Sequence, residues 1–132
     1  RPERLGLNTL HTSDAWATII RLQELGVANY LVKATLMGVM AQRLVRTVCR
    51  RCQPNASAAC RTCRGTGFWG RTGLFELLVP SERLKAMIGP GTDLADLRRQ
   101  ALADGLIDLR RAAQAKLASG QTVEQEVLRA CN

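Results

Sequence analysis

Cys49, Cys52, Cys60 and Cys63 form two C-x2-C pairs separated by seven residues. Each pair can fold into a tight knuckle that points two sulfurs at one ion, and two knuckles complete a tetrahedral four-sulfur site. That is the closed arrangement of structural zinc, with no ligand position left open for chemistry. A disulfide pairing would need an oxidising compartment, and no charged-then-apolar leader with a small-residue cleavage site opens the chain. An iron site with the same four thiolates fits the spacing equally, so spacing alone identifies the site better than the metal. Four thiolates around a dication carry a net charge of −2, and Arg50, Arg51, Arg61 and Arg64 stand between or beside the ligands to offset it.

His11 is the only histidine of the 132 residues and follows a short apolar run, Leu5-Gly6-Leu7-Asn8-Thr9-Leu10. Groups at strand ends collect function in α/β sheets, although a lone histidine in such a place is commonly a structural hydrogen-bonder. Phosphate chemistry of the P-loop type needs a G-x-x-x-x-G-K-[ST] cradle. The three lysines, Lys33, Lys85 and Lys116, follow Val, Leu and Ala, so no Gly-Lys pair exists, and no apolar run ends in paired acids. These residues alone should therefore not hydrolyse ATP. Cys131, at the end of a helical pattern, is assigned no role.

The net charge of +8 is concentrated: residues 25–75 hold no acid and eight bases, and the remainder sums to zero. Such a block usually points to nucleic acid or an acidic partner. Here part of it supports the metal site, and only Phe68 and Trp69 lie near it as stacking surfaces, so nucleic acid is not the expected partner. Apolar residues at 46 % and charged residues at 23 % suit a folded domain. The longest apolar stretch is interrupted by Asn29 and Lys33 and is too short to span a bilayer, so no membrane insertion is expected. The chain opens at Arg1 directly on an apolar segment, which is expected of an interior piece of a larger protein.

Hydrophobic spacing predicts the elements that position these groups. Residues 5–10 read as a strand running into the helix cap His11-Thr12-Ser13-Asp14, and 14–25 read as a helix ended by Gly26. A longer helix is expected over 27–48, with Val27, Leu31, Ala34, Gly38, Ala41, Val45 and Val48 on one face and Arg43 and Arg46 on the polar side. The glycine-rich run 65–73 cannot be helix. Residues 74–79 read as a strand stopped by Pro80. Short helices follow: one capped by Ser81, one opened by Thr92, one over 106–118, and a last one opened by a Thr122/Gln125 capping box. The fold class is mainly α with a small β-ribbon beside a four-Cys zinc site.

Four segments then occur in series: Thr9-Leu10-His11-Thr12-Ser13-Asp14-Ala15, Gln42-Arg43-Leu44-Val45-Arg46, the paired cysteines, and Gly67-Phe68-Trp69-Gly70-Arg71-Thr72-Gly73-Leu74-Phe75-Glu76-Leu77-Leu78. Together they resemble the C-terminal part of the ATPases that power type II secretion and type IV pilus assembly. The resemblance implies that His11 is the family's His-box residue, facing the nucleotide phosphates and the attacking water, with Thr12 beside it. It implies that the cysteines are the zinc tetrad of the assembly and secretion members, although the family usually places a much longer segment between the pairs. It also implies that 1–26 is the end of a RecA-like ATPase core and that 27–132 is a helical C-terminal domain with its zinc lobe at 49–63. ATP and Mg2+ would bind only in the intact protein. That protein is expected to be a cytoplasmic homo-hexamer, peripheral to the inner membrane, working against the platform protein and other secretion-system components. The alternatives are a small zinc-ribbon module that binds nucleic acid, and a chaperone-like zinc module. The second suffers because Cys60-Arg-Thr-Cys63-Arg-Gly-Thr-Gly67 has the needed form and Cys49-Arg-Arg-Cys52-Gln-Pro does not.

Overall fold

A computed structural model describes residues 5–53 and 55–131. Its elements are α1 (Ala17–Glu24), α2 (Asn29–Thr35), β1 (Val39–Val48), β2 (Phe68–Leu78), α3 (Glu82–Met87), α4 (Leu94–Ala103), α5 (Leu109–Ala118) and α6 (Glu124–Cys131). The strands form an antiparallel hairpin in which Val39 opposes Leu78 and Val48 opposes Phe68. Side chains alternate across such a ladder, so Val39, Ala41, Arg43 and Val45 share one face with Leu78, Glu76 and Leu74. The helices cover that face. Ala41 and Leu78 join Ala15, Trp16, Ile19, Val32, Leu84, Ile88 and Leu97 in one buried cluster. Val45 and Leu74 join Leu109 and Ala113 in a second.

Polar caps fix where the helices start. The Ser81 hydroxyl accepts the Leu84 N–H, Asp93 accepts from Ala95 and Asp96, and Asp108 accepts from Arg111. Each satisfies a helix-terminal donor that has no partner within the helix. The last helix is tied to the edge of β1. Thr122 Oγ1 donates to the Arg46 carbonyl at 2.8 Å, and the Gln121 carbonyl accepts from Val48 N at 2.9 Å. Glu126, almost fully buried, accepts from the Arg46 backbone N–H at 3.0 Å and from the Arg46 guanidinium at 2.6 Å. Arg129 adds a third donor group to the same carboxylate at 2.9 Å.

These donors, Arg46 first and Arg129 second, hold the Glu126 carboxyl well below the usual carboxylate range. The unfolded carboxylate therefore takes up a proton first as pH falls. The stability Glu126 contributes is complete above about pH 4.3 and is lost as pH drops toward its folded pKa. Glu76 has the opposite sign: burial raises its carboxyl, so its contribution grows as pH falls. Glu126→Gln is expected to lower the melting temperature at neutral pH by roughly 5 °C. The gap from the parent chain should shrink below about pH 4, and the subtraction isolates Glu126 from Glu76. Melting curves at about pH 7, 4 and 3 check this; a gap that does not change with pH would contradict it.

Four expectations from the sequence need correction. The helix over 27–48 is instead α2, a break at Leu36 and Gly38, and the strand β1. Ala41 and Val45, four apart, share a face in a helix and in a strand alike, so that spacing could not discriminate between the two. Val39, Val45, Thr47 and Val48 are β-branched, and pairing with β2 decides the outcome. Arg43 and Arg46 are accordingly strand residues. The second strand begins at Phe68 rather than Leu74, because the glycine-rich run pairs with β1 through Val48 and Arg46. Residues 5–12 form no strand among the described residues, since nothing here offers them a ladder partner. Finally, α6 begins at Glu124, and the Thr122 hydroxyl bonds to β1 rather than to its own helix.

Candidate metal centre

The hairpin delivers the four cysteines. Cys49 directly follows β1, its N–H donates to the Gly67 carbonyl at 2.8 Å, and Gly67 directly precedes β2. The ladder thus continues one step into the lobe and sets the entry and exit of the loop that carries the ligands. The second pair is held by Cys60 N to Ser57 O at 2.9 Å and Arg64 N to Cys60 O at 2.8 Å. Beyond Cys63 the chain turns through left-handed backbone at Arg64 and Gly65, with φ of 52° and 80°. A Cβ on Gly65 would approach the Ala58 backbone at 3.3 Å, so glycine suits both the turn and the close approach.

The four sulfurs lie within 4.8 Å of one another, with Cys49 to Cys60 at 3.9 Å and Cys52 to Cys63 at 3.5 Å. A tetrahedral site with metal–sulfur bonds of about 2.3 Å has sulfur–sulfur edges of about 3.8 Å. The cluster therefore fits a single four-coordinate ion, and these residues are placed to hold one. Cys49 and Cys63 are buried, while Cys52 and Cys60 are half-buried. The backbone N–H groups of Cys63 and Thr62 favour the Cys60 thiolate and, against burial, bring its pKa down to about 6. The Ser57 N–H favours the Cys52 thiolate, but burial and hydrogen bonds with the Cys63, Cys49 and Cys60 sulfurs outweigh it and push its pKa up to about 12. Four thiolates this close need a cation between them.

Around the cluster the surface is basic and aromatic. Arg61, Thr62, Arg64, Phe68 and Trp69 line an open groove beside Cys63, and Trp69 is 65 % exposed. The Arg46 guanidinium sits over the Phe68 ring at 4.2 Å while also bonding Glu126, so one side chain links the foot of the metal lobe to α6. Nothing local in the sequence signals that link, since Arg46 and Glu126 lie 80 positions apart.

His11 and Thr12 are not part of this centre. His11 is exposed on the segment entering α1, and Thr12 Oγ1 is 2.9 Å from Thr18 Oγ1. That segment meets the hairpin where Ala15 N donates to Glu76, opposite Ala41. Val48 is about 23 Å further along the strand. Cys131 lies partly buried beside the second cluster, where burial pushes its thiol up, and it is not a fifth ligand.

Residues 4–129 match the type II/IV secretion system protein family. The chain belongs to that family. Among its relatives, the type II secretion system protein HxcR of Pseudomonas aeruginosa is 38 % identical over 130 residues, covering 95 % of this chain and 28 % of that protein. The type II secretion system protein E of Klebsiella pneumoniae is 39 % identical over 145 residues, covering 95 % and 29 %. The type IV pilus assembly ATPase TfpB of Acinetobacter baylyi is 36 % identical over 149 residues, covering 95 % and 26 %. This family member therefore spans less than a third of the length of the relatives it matches. No helix among the described residues is long and apolar enough to cross a membrane.

Proposed function

We propose that this chain is the zinc-bearing C-terminal part of a cytoplasmic, hexameric ATPase that powers type II protein secretion or type IV pilus assembly. The observation that carries this is family membership across nearly the whole chain, with relatives named as secretion proteins and pilus assembly ATPases. In this reading residues 1–26 complete a RecA-like core. Residues 5–10, whose Leu5 and Leu7 are largely exposed, pair there with strands that lie outside this chain. The phosphate cradle and the site for ATP and Mg2+ belong to that core, where His11 acts near the attacking water and Thr12 stands beside it. The homo-hexamer lies peripheral to the inner membrane. Residues 27–132 form the helical domain that pushes on the platform protein and other secretion-system components.

Cys49, Cys52, Cys60 and Cys63 hold zinc in this account. The ion closes the lobe and leaves no coordination position for chemistry. The lobe carries its arginines as a rigid end of the β1–β2 hairpin. Turnover measured on the complete protein, and on a form ending before residue 27, tests the functional reading directly. Hydrolysis that needs ATP and Mg2+ and couples to export supports it, and full export by the truncated form overturns it.

A second reading, a zinc-ribbon module for nucleic acid, draws on one observation. Arg50, Arg51, Arg61 and Arg64 are exposed and enter none of the ion pairs among the described residues. Four arginines beside a −2 site and one exposed tryptophan give a weak, salt-sensitive phosphate contact. Single-stranded DNA is expected to bind with a Kd no tighter than about 10 μM at physiological salt, and to lose most of that affinity on moderate salt addition. Nanomolar, sequence-selective binding in a fluorescence titration would favour the second reading over the first.

A further inference from the structure

The helix-facing side of the hairpin is not uniformly apolar. Between the cluster at Ala41 and Leu78 and the cluster at Val45 and Leu74 lie Arg43 and Glu76, on adjacent strands and on the same face. Both reach the segment that carries His11. Arg43 donates from its guanidinium to the Ser13 carbonyl at 2.7 Å, and Glu76 Oε1 accepts the Ala15 N–H at 2.8 Å. The two bonds flank Asp14 and come from opposite strands.

Glu76 is buried, with 1 % of its surface exposed, and enters no ion pair among the described residues. Its second oxygen accepts from Leu109 N, the first residue of α5, at 3.2 Å. Both oxygens are thereby held, and the carboxylate cannot rotate away from Ala15. An aliphatic residue here would merge the two apolar clusters without the cost of burying a charge. The carboxylate instead orients two backbone amides. His11 lies two positions before Ser13, and residues 5–12 have no helix or strand of their own. On its C-terminal side, His11 is therefore fixed to this chain through Ser13 and Ala15.

We infer that Arg43 and Glu76 are positioning residues for His11, clamping its segment to the hairpin whose far end carries the metal lobe. This rests on the reading that His11 serves ATP turnover. Small displacements of a reacting group cost rate far more than they cost binding. Arg43→Gln removes one of the two anchors at a partly exposed site and leaves the apolar clusters intact.

Turnover of the complete ATPase with ATP tests the inference through His11→Ala, Arg43→Gln, Glu76→Gln and the double variant of His11 and Arg43. Arg43→Gln is expected to lower kcat roughly tenfold with KM for ATP changed less than about twofold, and Arg43→Lys to recover part of the loss. Glu76→Gln should do the same or more, with faster amide exchange at Ala15. If it does not fold, Arg43→Gln still decides. In the His11→Ala background, Arg43→Gln should have no further effect, because it acts through a side chain no longer present. An equal fold-loss in both backgrounds, or full activity of Arg43→Gln beside an inactive His11→Ala, overturns the inference. Normal turnover of His11→Ala instead removes the reading beneath it, and the inference falls with that reading.

Discussion

Removing the metal, or replacing Cys60 by Ser, is expected to abolish amide protection across residues 49–67 while leaving most helicity in place. The lobe has almost no apolar side chains of its own, so burial cannot order it. Structural zinc sites contribute apparent binding energies of roughly 10–16 kcal/mol in small peptides, and that energy is folding energy where no site preexists. The disorder should spread into the hairpin through Val48 and Phe68, the rungs next to the ligands. It should stop near Val45 and Leu74, which are fully buried against α5. The two packed clusters confine the loss to that end of the hairpin. Hydrogen exchange with and without chelator reads both boundaries. Protection unchanged over 49–67 after complete metal removal would show that the site orders nothing.

The second large effect concerns His11. In the ATPase this chain is proposed to belong to, His11→Ala is expected to lower kcat by roughly a hundredfold or more while KM for ATP moves by about threefold at most. A group beside the attacking water contributes mainly in the transition state, so its loss appears in turnover rather than in affinity. Equal losses in both parameters, or in neither, would reduce His11 to a structural residue. Within this chain His11 is exposed, and residues 5–10 have no strand partner among the described residues. Its function therefore depends on the core it is proposed to complete.

The metal ligands were legible because their information is local: two C-x2-C pairs need only short loops to converge, and the sulfurs do lie within 4.8 Å. The start of α3 was legible for the same reason, since the Ser81 side chain meets a backbone donor three residues on, whereas α4 is capped by Asp93 rather than opened by Thr92 and Thr122 bonds to β1. Long-range pairing was not legible. The strand character of residues 39–48 is decided by residues 68–78, and the helix period matched the strand period at Ala41 and Val45. Glu76 gave no warning of its role either, since its partners Ala15 and Leu109 lie 61 and 33 positions away. Glu126 is no more legible, since its partner Arg46 lies 80 positions away. Buried carboxylates with distant backbone partners leave no periodic trace.

The four cysteines on one hairpin are proposed to form a closed zinc site. Metal analysis of the purified chain, joined to X-ray absorption at the zinc edge, addresses it most directly. One zinc per chain with four sulfur neighbours at about 2.3 Å is the predicted result. Iron as the native metal, a nitrogen or oxygen ligand in place of a sulfur, or Cys49, Cys52, Cys60 and Cys63 recovered as disulfides would contradict it.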